Sequence, residues 1–207
     1  VQTTTFNSWA LSIIRKSVRG QPFFKYLNIP SFIEEIKFSE EILKALSGWV
    51  EKQSTALDEK IKIQFGSRPA YYENWIKSKD KPILVRLRDF SHEIKTSKLP
   101  DAEKKEKLGF VKKQIFSFED YLQDLYELLS DVDHLKQYLR TDTKLSSNLD
   151  YLKRLTEKNR LKKNLDYFDM SLILRLIQIK NGGLPDGNGG TVTLDHVVID
   201  EAQDFGK

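Results

Sequence analysis

The sequence contains no cysteine, so disulfide bonds and thiolate metal sites are excluded. No stretch approaches the roughly 18 consecutive apolar residues of a membrane-spanning helix, and the N-terminus lacks the pattern of a signal peptide. The three histidines, His92, His134 and His196, show no metal-ligand spacing and suggest no catalytic triad. We therefore expect a cytoplasmic protein with no membrane partner and no cysteine- or histidine-based site.

The sequence also lacks the phosphate-binding loop of P-loop nucleotide hydrolases. That loop requires Gly-x-x-x-x-Gly-Lys followed by Ser or Thr, placed between a strand and a helix, and no such string occurs here. Glycines are concentrated between Gly182 and Gly190, where they follow an apolar segment and predict a helix end with a loop. The sequence therefore predicts no phosphate cradle of the Walker A type.

What is present favours a charge-rich helical chain. Of the 207 residues, 39% are apolar and 31% are charged, and the formal net charge is +4 with a pI near 9.0. This mildly basic balance permits a nucleic-acid partner without requiring one. Because the chain starts at Val1 rather than at methionine, we expect it to be a piece of a larger protein.

Apolar residues recur at helical spacing over most of the chain and predict a mainly α fold. One apolar face runs from Ile33 to about residue 52 and can restart at Ser39. Residues 83–87 fit a strand or a helix, and we favour a helix. The other predicted helices cover residues 71–76, residues 101–113 and the clearest amphipathic stripe, residues 121–139.

Three helix starts are predicted from capping residues. Asn7 or Ser8 is a suitable N-cap for a helix that follows a β-prone N-terminal segment. The segments 31–34 and 117–120 both have the spacing of a capping box, with Ser31 and Ser117 as the predicted N-caps.

The most informative stretch lies near the end of the chain. Residues 197–199 form an apolar run without polar alternation, which predicts a strand buried on both faces. Asp200 and Glu201 follow directly, at the strand end where parallel sheets bind ligands. In nucleotide hydrolysis, Asp200 would hold Mg²⁺, Glu201 would orient and deprotonate the attacking water, and Gln203 could sense the γ-phosphate or the water. The structural alternative is a core strand that ends in a solvated acidic turn.

The string Val-Val-Ile-Asp-Glu-Ala-Gln-Asp-Phe at 197–205 resembles the Walker B segment, motif II, of UvrD/Rep-type superfamily 1 helicases. Thr-Phe-Asn-Ser at 5–8 resembles a second motif of that family, at a strand–helix junction beside the path of single-stranded DNA, with Asn7 in place of the usual His. The order of an acidic residue, an apolar helix, a glycine-containing loop and the final motif also matches. The resemblance to the branch of helicase IV and the HelD proteins is looser.

This resemblance implies a domain organisation and a chemistry. Residues 1–19 and 164–207 would be parts of the first RecA-like ATPase domain, a P-loop NTPase α/β domain, and residues 20–163 a large helical insertion subdomain. The parent protein would be an ATP-dependent DNA helicase or translocase that uses ATP and Mg²⁺, with neither expected to bind tightly to this chain alone. Asp200 would be the magnesium ligand, Glu201 and Gln203 the catalytic residues, and all three would contact the nucleotide.

The expected partner is DNA, either single-stranded or at a junction of single and double strands. Thr5, Phe6 and Asn7 would contact it through the second motif. Residues 136–163 contain nine basic and three acidic residues, a pattern typical of a solvated face or of a surface that contacts phosphates. For the second case, the predicted phosphate contacts are Lys153, Arg154, Lys158 and Arg160.

Two other functions remain open at this point. In HelD-type proteins the helical insertion engages RNA polymerase, and a docking module of that kind would carry exposed aromatic residues at its far tip; Tyr71, Tyr72 and Trp75 are candidates. A metal-dependent nuclease using Asp200, Glu201 and Asp204 is less favoured, because nuclease carboxylates usually come from several separated elements.

Overall fold

A computed structural model describes residues 6–20, 22–25, 29–139, 143–162, 164–186 and 190–192. Over these ranges the chain is mainly helical, which confirms the mainly α prediction. Two short strands, β1 (Phe23–Phe24) and β2 (Asn164–Leu165), pair with each other, whereas the strand predicted at 197–199 lies outside the described ranges. The helices are α1 (Phe6–Ser17), α2 (Ser31–Phe38), α3 (Glu40–Gln64), α4 (Pro69–Lys77), α5 (Ile83–Thr96), α6 (Asp101–Phe118), α7 (Tyr121–Ser130), α8 (Val132–Leu139), α9 (Thr143–Ser146), α10 (Leu149–Leu161) and α11 (Tyr167–Asn181).

Helix α11 is the central helix of this body. It packs against α1, α2, α3, α5 and α7. At 100° per residue its buried side chains cover well over half of the helix circumference, and only a strip containing Arg175 and Gln178 is exposed. A helix with so wide an apolar face is stable only when several neighbours enclose it. The apolar core therefore forms around this late element of the sequence.

Strands β1 and β2 join two distant parts of the chain. They pair in parallel, with Phe23 opposite Asn164 and Phe24 opposite Leu165. The backbone N–H of Lys25 extends the pairing by donating to the Leu165 carbonyl at 2.9 Å. The helical segment between the two strands therefore begins and ends at the same place, the β1–β2 pair.

The helix predictions at 71–76 and 83–87 are confirmed by α4 and α5, and the restart at Ser39 is also confirmed. The Ser39 hydroxyl accepts a hydrogen bond from the backbone N–H of Ile42 at 3.2 Å and caps α3. Helix α3 continues beyond residue 52, to Gln64. It does so because Leu57 and Ile61 continue the buried stripe after a polar interval.

The predicted N-caps were wrong. Ser31 is the first residue of α2 and follows Pro30, which provides no side-chain cap. Ser117 lies inside α6, and the cap of α7 is Asp120, whose carboxylate accepts from the N–H of Gln123 at 3.1 Å. Asn7 and Ser8 lie inside α1, which begins at Phe6.

The predicted helix 121–139 is divided into α7 and α8 at Asp131. The Asp131 carboxylate accepts a hydrogen bond from the backbone N–H of His134 at 3.0 Å and starts the second helix. The apolar stripe continues across the break, so the hydrophobic pattern alone did not reveal it. Helix α6, in contrast, is longer than predicted. It continues past residue 113 to Phe118, because Gln114 and Phe118 are buried.

The end of α11 is defined by Gly182. This residue has φ of 77°, in the left-handed region that favours glycine. A Cβ there would also lie 2.7 Å from the Cγ atom of Pro82. The chain then turns back on itself, with an isolated antiparallel bridge between Pro185 and Thr191. We call the described residues of this part, 183–186 and 190–192, the hairpin.

Candidate functional site

The predicted nucleotide site lies outside the described ranges. This applies to Asp200, Glu201 and Gln203, and also to Thr5 and Asp204. The structure instead places the elements that flank the two motifs.

The two flanking helices lie side by side. Helix α1 begins within the Thr-Phe-Asn-Ser motif and α11 precedes the Asp-Glu-Ala-Gln-Asp string, and the two helices pack against each other. Ala10, Ile13 and Ile14 of α1 are buried in the common core, while Asn7 is exposed on the first turn. The fold therefore places the helix that starts in the first motif beside the last described helix before the second motif.

A buried ion cluster, formed by Lys37, Asp166 and Asp169, lies at the N-terminus of α11; we call it the Lys37 cluster. The Lys37 ammonium lies 2.6 Å from Asp166 Oδ2 and 2.5 Å from Asp169 Oδ1. All three side chains are at most 5% exposed. Lys37 comes from α2, so the cluster ties the start of α11 to the helical segment.

The two aspartates of the Lys37 cluster also cap α11. Asp166 Oδ1 accepts from the N–H groups of Phe168 and Asp169, each at 3.0 Å, and Asp169 Oδ2 accepts from the N–H of Asp166 at 3.0 Å. This reciprocal pair is a capping box, and it places negative charge at the positive end of the helix dipole. The acidic residue noted before the apolar helix is therefore its N-cap.

Burial sets the electrostatics of the Lys37 cluster. Burial lowers the pKa of Lys37, but attraction from Asp169 and Asp166 and their hydrogen bonds outweigh it, so that pKa lies above the ordinary 10.5. Burial raises the pKa of Asp169, and the positive charge of Lys37 opposes the rise. Nearby, burial with a contribution from Asp169 raises the pKa of Tyr126 to about 12, and its hydroxyl donates to the Asn164 carbonyl of β2 at 3.1 Å.

A second buried ion pair, between Lys180 and Asp124, holds the other end of α11. Lys180 is fully buried and also donates to the Phe118 carbonyl at 3.0 Å. Asp124 accepts a further hydrogen bond from the Gln53 side-chain amide at 2.5 Å. Burial lowers the pKa of Lys180, and the negative charge of Asp124 opposes the change. Helix α11 is thus attached to the helical segment at both ends.

Trp75 is not an exposed aromatic, which corrects the prediction of a docking tip. It is 1% exposed, and its indole N–H donates to Asp58 Oδ1 at 2.6 Å. The guanidinium of Arg86 lies 3.7 Å from the Trp75 ring centroid and 2.9 Å from the same carboxylate oxygen. Tyr71 and Tyr72 are half-buried. These contacts hold α3, α4 and α5 together and remove Trp75 from the predicted tip, whereas Tyr71 and Tyr72 keep part of their surface exposed.

The predicted phosphate contacts lie on α10 and are all exposed. No described residue forms a hydrogen bond or ion pair with Lys153, Arg154 or Lys158, whereas Arg160 donates to the Gln123 side chain at 3.1 Å. Arg154 and Lys158 are one turn apart on the outward side, and Lys153 and Arg160 lie nearer to one flank. The bases are therefore spread over the outward side of α10, where the exposed Asp150 and Glu157 lie among them, and do not form a single row.

The buried charges were missed by sequence reasoning, although they left a signal. Lys37 falls on the same buried stripe of α2 as Ile33 and Ile36. Lys180 likewise continues the stripe of Ile173 and Ile177 on α11. A charged residue at an apolar position of a helix is seldom buried without a partner, so each lysine predicted an acidic neighbour that spacing alone could not identify.

Two further features concern only the described ranges. These ranges contain no group of three His, Cys, Asp or Glu side chains that could hold a metal ion. The predicted magnesium ligand, Asp200, lies outside these ranges. They also contain no helix long and apolar enough to cross a membrane.

Comparisons of the chain with protein-family models, with curated proteins and with solved structures found no match.

Proposed function

We propose that this chain is part of an ATP-dependent superfamily 1 DNA helicase or translocase of the UvrD/Rep type. The observation that carries the proposal is the string Val-Val-Ile-Asp-Glu-Ala-Gln-Asp-Phe at 197–205. It joins an apolar run to a carboxylate suited to magnesium and a second carboxylate suited to proton transfer. Two adjacent carboxylates after an apolar run are common, but the full nine-residue string is far more specific.

The described fold supports the proposal through its connectivity. The β1–β2 pair makes the helical segment leave and return at one point, as a subdomain inserted into another domain would. The packing of α1 on α11 is compatible with the proposal, since α1 starts in the first motif and α11 precedes the second in the sequence. Under the proposal, residues 1–19 and 164–207 belong to a RecA-like domain and residues 20–163 to its insertion, although α11 also packs deeply among the helices of that insertion.

The proposed roles follow from side-chain chemistry. Asp200 holds the magnesium ion that accompanies ATP, and that ion neutralises charge on the phosphates. Glu201 orients the attacking water and accepts its proton, and Gln203 contacts the water or the γ-phosphate. The phosphate-binding loop would come from another part of the parent protein, since its string does not occur here.

On the DNA side, Thr5, Phe6 and Asn7 would border the single strand at the start of α1. The exposed bases of α10, Lys153, Arg154, Lys158 and Arg160, would add sequence-independent phosphate contacts. The alternative partner, RNA polymerase, has less support because Trp75, one of its three proposed contact residues, is buried.

The test of this proposal is Glu201→Gln in the parent protein. The substitution removes the base and spares the magnesium ligand, so we expect ATP binding to persist while hydrolysis slows by about two to four orders of magnitude. Glu157→Gln, an exposed carboxylate of α10, is the matched control and should leave turnover unchanged. If Glu201→Gln hydrolyses ATP at the normal rate, the Asp200–Glu201 pair is a structural turn and the proposal is wrong.

A further inference from the structure

A cleft of about 650 Å³ lies between the C-terminal end of α1, helix α5 and the hairpin. Its described lining contains three cationic side chains, Lys16, Arg19 and Arg88, but a single carboxylate, Glu119. We call it the Arg19–Arg88 cleft. It is distinct from the predicted DNA contacts, because Lys16 and Arg19 lie at the far end of α1 from Asn7, and a 12-residue helix is roughly 18 Å long.

The two arginines of the Arg19–Arg88 cleft are already held in place. Glu119 accepts from both: its Oε2 lies 2.6 Å from an Arg19 nitrogen and its Oε1 lies 3.2 Å from an Arg88 nitrogen. Arg88 also donates to the Asn181 side chain at 3.0 Å, and Asn181 donates to the Tyr121 hydroxyl at 2.8 Å. Arginines oriented in this way lose little conformational freedom when they bind a ligand.

Two polar side chains from the lining of the cleft form no hydrogen bond with any described residue. The Ser17 hydroxyl oxygen is buried and forms no hydrogen bond. Lys16 forms no hydrogen bond or ion pair with any described residue. The Lys16 side chain is exposed, so an oxygen-rich ligand in the cleft would pair with its ammonium group.

We infer that the Arg19–Arg88 cleft binds a phosphate group. Three positive charges against one carboxylate leave two charges uncompensated. A carboxylate ligand would neutralise one of them, whereas a phosphate dianion or two neighbouring phosphodiesters would neutralise both. Arginine side chains also match the oxygen geometry of phosphate. The phosphate can belong to a free phosphate or to a nucleic-acid chain, and the site does not depend on Asp200 or Glu201.

The test uses the full 207-residue chain and two probes, inorganic phosphate and an oligothymidylate. Binding is followed by two-dimensional amide NMR at increasing ligand concentration. We expect saturable shifts at the amides of Ser17, Arg19 and Thr191. If inorganic phosphate shifts these amides, a free phosphate is sufficient to occupy the cleft. Shifts with the oligothymidylate alone identify a phosphodiester chain.

Substitutions then assign the site. Lys16→Gln should weaken binding of the effective probe about fivefold and, for the oligothymidylate, reduce the salt slope by about one. This lysine has no partner in the described chain, so its replacement leaves the packing intact. Lys105→Gln, an exposed lysine of α6, is the control and should bind normally. Arg88→Gln should also weaken binding, with a thermal melt to verify its fold.

Two results would overturn the inference: no saturable shift in the cleft with either probe, or equal affinity for Lys16→Gln and the unmodified chain. If the oligothymidylate shifts only the amides of α10, the cleft is not a phosphate site and the proposed DNA contacts stand. A failed Glu201→Gln experiment, in turn, would leave binding in the cleft unaffected.

Discussion

Three buried ionic side chains, Lys37, Asp166 and Asp169, form one of the two charged contacts that fix the ends of the central helix. The ammonium is compensated by two carboxylates, and those carboxylates are further compensated by the backbone N–H groups that they cap. Such a cluster contributes little net stability compared with an apolar core, but removing one member leaves a buried charge without its partner. Removing one member of the Lys37 cluster should therefore lower the free energy of unfolding by much more than the intact cluster contributes to it.

Lys37→Met should lower the free energy of unfolding by about 3–5 kcal/mol, because two buried carboxylates would remain without a cation. Urea denaturation followed by circular dichroism measures this change. Lys44→Met is the matched control, since Lys44 is 62% exposed and forms a surface ion pair with Glu40; its effect should stay within about 0.5 kcal/mol. Equal stability of the two variants would show that Lys37 is not buried in the cluster.

The raised pKa of Tyr126 predicts a loss of stability at high pH. An unfolded tyrosine ionises near 10, whereas the pKa of Tyr126 in the fold is about 12. Between pH 10 and pH 12 the Tyr126 hydroxyl is ionised in the unfolded chain but still protonated in the folded one. The free energy of unfolding is therefore unaffected by the ionisation of this hydroxyl below pH 10 and decreases as the pH rises towards 12.

Tyrosinate absorbance provides the measurement. The tyrosinate absorbance of the unmodified chain minus that of Tyr126→Phe isolates the signal of Tyr126. In the folded protein this difference should rise with a midpoint near pH 12. In concentrated urea the same difference should titrate near pH 10, as expected of a tyrosine in water, roughly two units lower. A folded-state difference that already appears near pH 10 would contradict the burial of this hydroxyl.

At the scale of elements, helix starts depend on single capping residues. Asp120 caps α7, so Asp120→Ala should cost about 1 kcal/mol in the free energy of unfolding. Ser117, which the sequence pattern favoured as the cap, is an exposed residue inside α6, and Ser117→Ala should change stability by less than about 0.5 kcal/mol. Denaturation of both variants side by side distinguishes the two assignments, and a larger effect at Ser117 would favour the sequence-based one.

Most of the longer helices could be predicted from the sequence, but α10, the helix ends and the ionic partners could not. Apolar periodicity located α4, α5 and the joined stripe of α7 and α8, because each buries one face on the core. It did not locate the break at Asp131, since the stripe continues across it. Several Ser and Asp residues compete for each cap, and only the path of the chain decides between them. The partner of Lys37 lies 132 residues away at Asp169, a distance that no local pattern spans.

At the scale of the whole molecule, the proposed function would divide the active site between this chain and the rest of a parent protein. The 207 residues contain the Asp200–Glu201 pair but no phosphate-binding loop. An isolated carboxylate pair holds magnesium weakly in water, so we expect the purified chain to hydrolyse no ATP, with or without DNA. A phosphate-release assay tests this. DNA-stimulated turnover that Glu201→Gln abolishes would contradict it.

The pairing of β1 with β2 also has a consequence for the order in which the chain folds during synthesis. On the ribosome, α1 and β1 emerge long before α11 and β2, their partners in the finished protein. At roughly 5–20 residues per second, the 132 residues between Lys37 and Asp169 take about 7–26 s to translate. Throughout that interval the apolar side of α1 has nothing from α11 to pack against. The packing of α1 on α11 is therefore a late event, and until then this side of α1 lacks the helix that covers it in the finished fold.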